Sequence, residues 1–87
     1  TMIYKIICVR DRAADLYGAP QCVGTTGAAI RGFSDEINRP DEKNSFYLHP
    51  DDFDLFELGS FNDEDAEFVI LSSPKQLALG RDLKVRS

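Results

Sequence analysis

Eighty-seven residues suffice for one domain and one core, not two. A hydrophobic share of 43% and a charged share of 29% exclude a disordered chain except at the C-terminal end. The net charge of −5, taken alone, argues against a nucleic-acid partner, because phosphates attract cations.

Thr1 ahead of Met2 reads as a remnant before a natural start at Met2. Residues 2–10 (MIYKIICVR) are β-branched and aromatic with no breaker, and predict a central strand covered on both faces. The run is too short to span a bilayer, and no small-residue cleavage site follows it, so the expectation is a cytosolic protein without a membrane partner. Residues 11–20, with Gly18 and Pro20, read as a loop, and 21–24 as a short strand. Thr25 or Thr26 caps a helix whose apolar stripe is Ala29, Ile30, Phe33 and Ile37, and Arg39-Pro40 ends it. Residues 41–45 are a polar loop, 46–48 a short extended piece, and His49-Pro50-Asp51-Asp52 a turn or a single helical turn. Residues 54–61 and 67–72 predict two strands joined by a hairpin loop at 62–66. Pro74 opens a short helix at 75–79, Gly80 ends it, and 81–87 form a basic, mobile tail. The expected fold is α+β: a small, mainly antiparallel sheet with one main helix packed on it and a short C-terminal helix, all within residues 1–87. A domain this small gains from burying surface in a homodimer or higher homo-oligomer.

The opening MIYKI and VRD of residues 2–11, the central AAIRGFSDEINR (28–39) and FYLHPDDFDLFELGSFND (46–63) resemble the small non-structural protein of gokushoviruses, single-stranded-DNA phages of the Microviridae. The resemblance extends over nearly the whole chain, and YLHPDDFDLFELGSF is its most specific piece. It implies a DNA-binding protein acting in genome replication, when synthesis shifts toward single-stranded progeny, and hence in the host bacterial cytoplasm. It implies no catalytic residue and no cofactor.

The residues weigh against an enzyme. His49 is the only histidine; beside Asp51 and Asp52 it has the components of a general base, but a turn with capping acids accounts for it, and no Ser or Cys stands in a nucleophile's setting. A metal site from His49, Asp51, Asp52 and Asp54 matches no known loop spacing. Gly24-Thr-Thr-Gly27 is neither a phosphate-binding loop nor a dinucleotide fingerprint, and reads as a turn with a Thr cap that is open to a DNA phosphate. Cys8 and Cys22 are too few for a disulfide framework and read as buried free thiols.

DNA attachment needs cations for phosphates and flat rings for bases. From Asn44 to Pro74 there is no Lys or Arg, while eight acids fall there; the positive charge lies toward the ends. That acidic run is a solvated face, a phosphate mimic, or a surface meeting a neighbour's basic tail. The candidate DNA-contacting residues are Lys5, Arg10, Arg12, Tyr17, Arg31, Arg39, Lys75, Arg81, Lys84 and Arg86. Tyr17 is the best-placed ring, with Tyr4 and Tyr47 behind it; for each tyrosine, core packing is the commoner fate. Phe33 belongs to the helix stripe, and Phe56, Phe61 and Phe68 suit the core of the hairpin. The function expected is sequence-independent binding of single-stranded DNA in replication or packaging. The alternative is a protein-interaction or scaffolding factor that engages phage replication or capsid proteins without touching DNA.

Overall fold

The computed structural model describes residues 2–85. Its centre is β1 (Ile3–Asp11), which pairs along one side with β4 (Phe53–Asn62). Two short strands share its other side: β3 (Gln21–Val23) against Lys5–Ile7, and β2 (Leu16–Tyr17) against Arg10 and Asp11. The last strand, β5 (Glu67–Leu79), pairs only with β4 and forms the far edge. Every pairing is antiparallel, as expected from the hairpin signal and the short connections.

The main helix α1 (Thr26–Ile37) starts where a Thr cap was expected. The Thr25 hydroxyl accepts from the Ala28 amide at 3.0 Å, satisfying one orphan donor of the first turn. Ala29, Phe33 and Ile37 form the buried stripe and press onto Ile7, Phe53 and Leu55 of the sheet. Val9, Val23, Leu77 and Ala78 extend this contact. Ile37 is fully buried and Leu55 nearly so. Each such aliphatic side chain contributes about 1.5–3 kcal/mol of burial. Phe46 closes the end of the core, edge-on to Phe33 and Phe53.

Three irregularities shape the sheet, one of them a slip at Leu77 between the Leu55/Ala78 and Phe56/Gln76 pairs. The β1–β4 register slips at Leu58, between the Ile6/Gly59 and Ile7/Glu57 pairs. Opposite the same point β5 jumps from Ile70 to Lys75, so residues 71–74 bulge out. Such insertions increase twist and bend a strand. Gly59 sits at the crease opposite Ile70: a Cβ there would lie 2.9 Å from the Ile70 Cα and collide with the Val69 carbonyl. Beyond the crease, the ends of β1, β4 and β5 form an arm. The molecule measures 45 × 24 × 20 Å, and its radius of gyration of 13.7 Å exceeds the roughly 12 Å of a compact chain this long.

Six local expectations are corrected. Ser45–Leu48 is a helical turn, α2, not an extended piece, because the Asn44 side chain caps it and itself donates to Glu36 and Arg39 carbonyls. Residues 75–79 continue β5 rather than forming a helix, since Gln76 and Lys75 find strand partners in Phe56 and Glu57, and Pro74 sits in the bulge, where its missing N–H costs no ladder bond. Gly80 begins rather than ends a helix, α3 (Gly80–Leu83); a Cβ there would strike the Phe53 carbonyl at 2.6 Å. The tail is seated as far as Val85, whose amide donates to Asn38 Oδ1 at 2.7 Å. Residues 11–20 also contain β2, a two-residue pairing too short to carry a pattern. Cys8 is buried as expected, but Cys22 is exposed.

Candidate functional site

Strand alternation gives the sheet two unlike faces. The core side carries Ile7, Val9, Phe53 and Leu55, and all three helices lie there. On β1 the opposite side carries Tyr4, Ile6, Cys8 and Arg10. The register then brings Phe61 beside Tyr4, Phe56 beside Cys8, Tyr17 beside Arg10, and Phe68 beside Phe61. No helix covers this face.

Its rings form two groups. Phe61 lies 6.4 Å from Tyr4 and 4.8 Å from Phe68, centroid to centroid, across three strands. Tyr17 stands edge-on to Phe56 at 5.5 Å. The separation of Tyr4 and Arg10 along β1 makes the row about 20 Å long. Tyr17 is 50% exposed and Phe68 60%, so these rings offer open π-faces. Beside the Tyr4 group, Ile6, Pro20, Leu58, Ile70 and the 71–74 bulge frame an apolar concavity of about 330 Å³.

Arg10 is the cation of this face. Its guanidinium lies 5.7 Å from the Tyr17 ring centroid and donates to Asp15 Oδ1 at 2.6 Å. The Asp15 hydrogen bond holds Arg10 firmly protonated, with its pKa raised. Arg12 is next along the chain but is occupied: its Nε contacts Asp54 Oδ2 at 3.1 Å, and a terminal nitrogen donates to the Asp51 carbonyl. Asp54 is almost fully buried, and its other oxygen has no hydrogen-bond partner among the described residues. Arg12 therefore neutralises a buried carboxylate.

The remaining sequence candidates do not converge. Lys5 projects from the core-side face of β1, 3.8 Å from Glu57, and Lys75 stands opposite Glu57 on β5. Arg31 is exposed on α1, and Arg81 on α3. Arg39 is clamped by Glu36 at 2.5 Å and Asp41 at 3.0 Å, which raises its pKa and depresses that of Glu36; the Asp41 carboxyl is lowered first by the Lys43 amide and then by Arg39. Lys84 is a correction: its Nζ lies 3.4 Å from the Tyr47 ring centroid and donates to the Tyr47 carbonyl at 3.2 Å, so it fastens the C-terminal segment rather than reaching into solvent. Arg86 lies outside the described residues. Arg10 and Tyr17 are the two candidates brought together on the helix-free face.

Phe56, Phe61 and Phe68 are functional candidates that sequence reasoning assigned to the core. The signal was available for two of them: Phe61 and Phe68 flank the hairpin loop symmetrically and must share a face. Among the described residues, no cluster of His, Cys, Asp and Glu suits a metal ion, and no helix is long and apolar enough to cross a membrane. The Cys8 thiol is pushed up by burial and stays protonated at neutral pH.

The chain is thus an α+β protein with helices on one side of an antiparallel sheet and an aromatic surface on the other. Residues 4–83 match the model of the phage ORF5 protein family, and the chain belongs to that phage family. No curated protein and no solved structure matches it.

Proposed function

We propose that this phage protein is a non-structural, non-catalytic single-stranded-DNA-binding protein of the gokushovirus type, acting independently of sequence in genome replication or packaging in the host cytoplasm. The observation that supports this reading best is the helix-free sheet face with its row of rings. Bases of any identity have π-faces, so stacking on Tyr17 and Phe56 at one end, and on Phe61 and Phe68 at the other, holds a strand without reading its sequence. Arg10 supplies a phosphate contact beside Tyr17. No cofactor enters this mechanism.

Titration of fluorescent oligo-dT and of duplex tests the reading. Single strands bind more tightly than duplex, because only unstacked bases reach the rings. Tyr17→Ala and Phe68→Ala each weaken binding by about 1–3 kcal/mol, or roughly 5- to 150-fold. Both rings are at least half exposed, so these variants stay folded. If the intact protein fails to bind at low salt, the second reading takes over: a protein-interaction factor. That reading is favoured by the exposed Asp63, Glu64, Asp65 and Glu67 at the hairpin tip, which repel phosphates and suit a basic protein surface.

A further inference from the structure

The arm ends in a strand edge with none of the usual protection. Phe68, Val69 and Ile70 are 60%, 55% and 63% exposed, and Leu71 follows at 37%. Alternation puts Phe68 and Ile70 on one face and Val69 on the other, and Leu71 opens the bulge beside Ile70, so the strand is apolar on both faces. β5 pairs only with β4, leaving its outer backbone edge without a strand. Natural edges are blunted by Lys, Pro or bulges. Here Pro74 and Lys75 come only after the apolar stretch, and 67–70 is regular.

We propose that β5 pairs antiparallel with β5 of a second copy of this chain, giving a closed two-fold dimer with a continuous sheet. Charge selects this partner and direction. Parallel pairing would stack two acidic tips, each with Asp63, Glu64, Asp65 and Glu67, side by side. Antiparallel pairing sends the tips to opposite ends. Only 67–70 is regular, so the dyad falls between Phe68 and Val69 and sets Glu67 opposite Ile70 of the second copy; the acidic tip then runs past that copy's 71–74 bulge toward Lys75. Lys75 is exposed and has no ion-pair partner among the described residues.

Phe68, Val69, Ile70 and Leu71, between 37% and 63% exposed, present roughly 400 Å² of apolar surface per copy; pairing buries their flanks along the edge and leaves the Phe68 ring face open. A standard interface buries about 800 Å² per partner, a little over half of it apolar. The backbone edge and the polar tip supply the remainder. The dyad of an antiparallel ladder runs normal to the sheet, so both helix-free faces point the same way and their ring rows join.

Sedimentation velocity tests the dimer without DNA. The wild-type chain sediments at twice the chain mass, and Val69→Lys or Ile70→Lys halves it with an unchanged far-UV spectrum; Tyr17→Ala, remote from the edge, leaves it doubled. Hydrogen exchange of the wild type needs no substitution: protection of the 68–71 amides rises with protein concentration. A wild-type monomer at every concentration, a dimer that survives both lysine variants, or concentration-independent exchange at 68–71 overturns the proposal. A dimer with no affinity for DNA leaves it standing while removing the DNA reading. A monomer that binds DNA does the reverse.

Discussion

At the scale of single residues, a cation's neighbours decide its role. Arg12 and Tyr17 were both candidates for DNA, and the structure separates them. Arg12 balances Asp54, whose side chain is 4% exposed, while Arg12 itself is 37% exposed. Arg12→Ala should therefore destabilise the fold by about 2 kcal/mol in urea denaturation, less than the ~3–5 kcal/mol of a fully buried pair because water screens the open side. Tyr17→Ala should change stability little and DNA affinity much; the opposite ranking would exchange the two roles. Lys84 gives a related warning: deleting 81–87 would remove α3 and the Tyr47 contact along with the charges, so Arg81→Glu is the cleaner probe of the tail. The Glu36–Arg39–Asp41 cluster adds a pH effect. Both carboxyls have folded pKa values below their ordinary ones, Glu36 by its bond to Arg39 and Asp41 by the Lys43 amide and then Arg39. Their contribution is full above the normal carboxylate range and is lost as pH falls through the folded values. Replacing Arg39 with Gln should flatten the acid limb of a thermal-stability profile slightly, since the cluster is exposed. Tyr17 was legible in the sequence as an exposed ring, but the Arg12–Asp54 pair was not, because the two lie far apart along the chain and meet only through the β1–β4 register.

Elements show why some spans read correctly and others did not. α1 was legible because its cap, its stripe and the following Pro40 all agree, and β1 because its apolar run is unbroken. Residues 75–79 misled because Pro74 and Gly80 imitate helix boundaries. Their actual reasons are tertiary: a bulge that tolerates proline, and a close approach to the Phe53 carbonyl that admits only glycine. Short local signals lose to pairing partners of this kind. The β4–β5 loop contains a strained position of its own. Ala66 has φ +60°, a left-handed conformation that costs a residue with a Cβ about 1–2 kcal/mol. Ala66→Gly relieves this but adds freedom to the unfolded chain, so a net stabilisation of about 0.5 kcal/mol is expected from the denaturation midpoint. A lower midpoint would mean that the loop holds Ala66 by contacts worth more than the strain.

For the whole molecule, the sequence and the structure draw attention to different groups. Counting cations suggested attachment by basic side chains from the termini and helix. The structure scatters those cations and gathers rings instead. DNA affinity should then depend only weakly on salt: with about one to three phosphate contacts per chain, log K against log salt should slope between roughly −0.7 and −2 for single strands. A much steeper slope would move the site onto Lys5, Arg31, Lys75 and Arg81. The layered α+β architecture was readable from alternation and length, but the helix-free face was not. Phe56, Phe61 and Phe68 look like core residues until one knows that all three helices pack on the other side.

Gly59 carries a consequence for how the protein tolerates change. The absent side chain lets β5 lie against β4 at the crease. A larger residue would pry the outer strand away and open a fresh edge on β4. The proposed two-copy assembly would then have no stopping point, and each added chain would present another open strand. A change of one residue at Gly59, between the two groups of rings, would thus turn the proposed finite particle into a growing fibre.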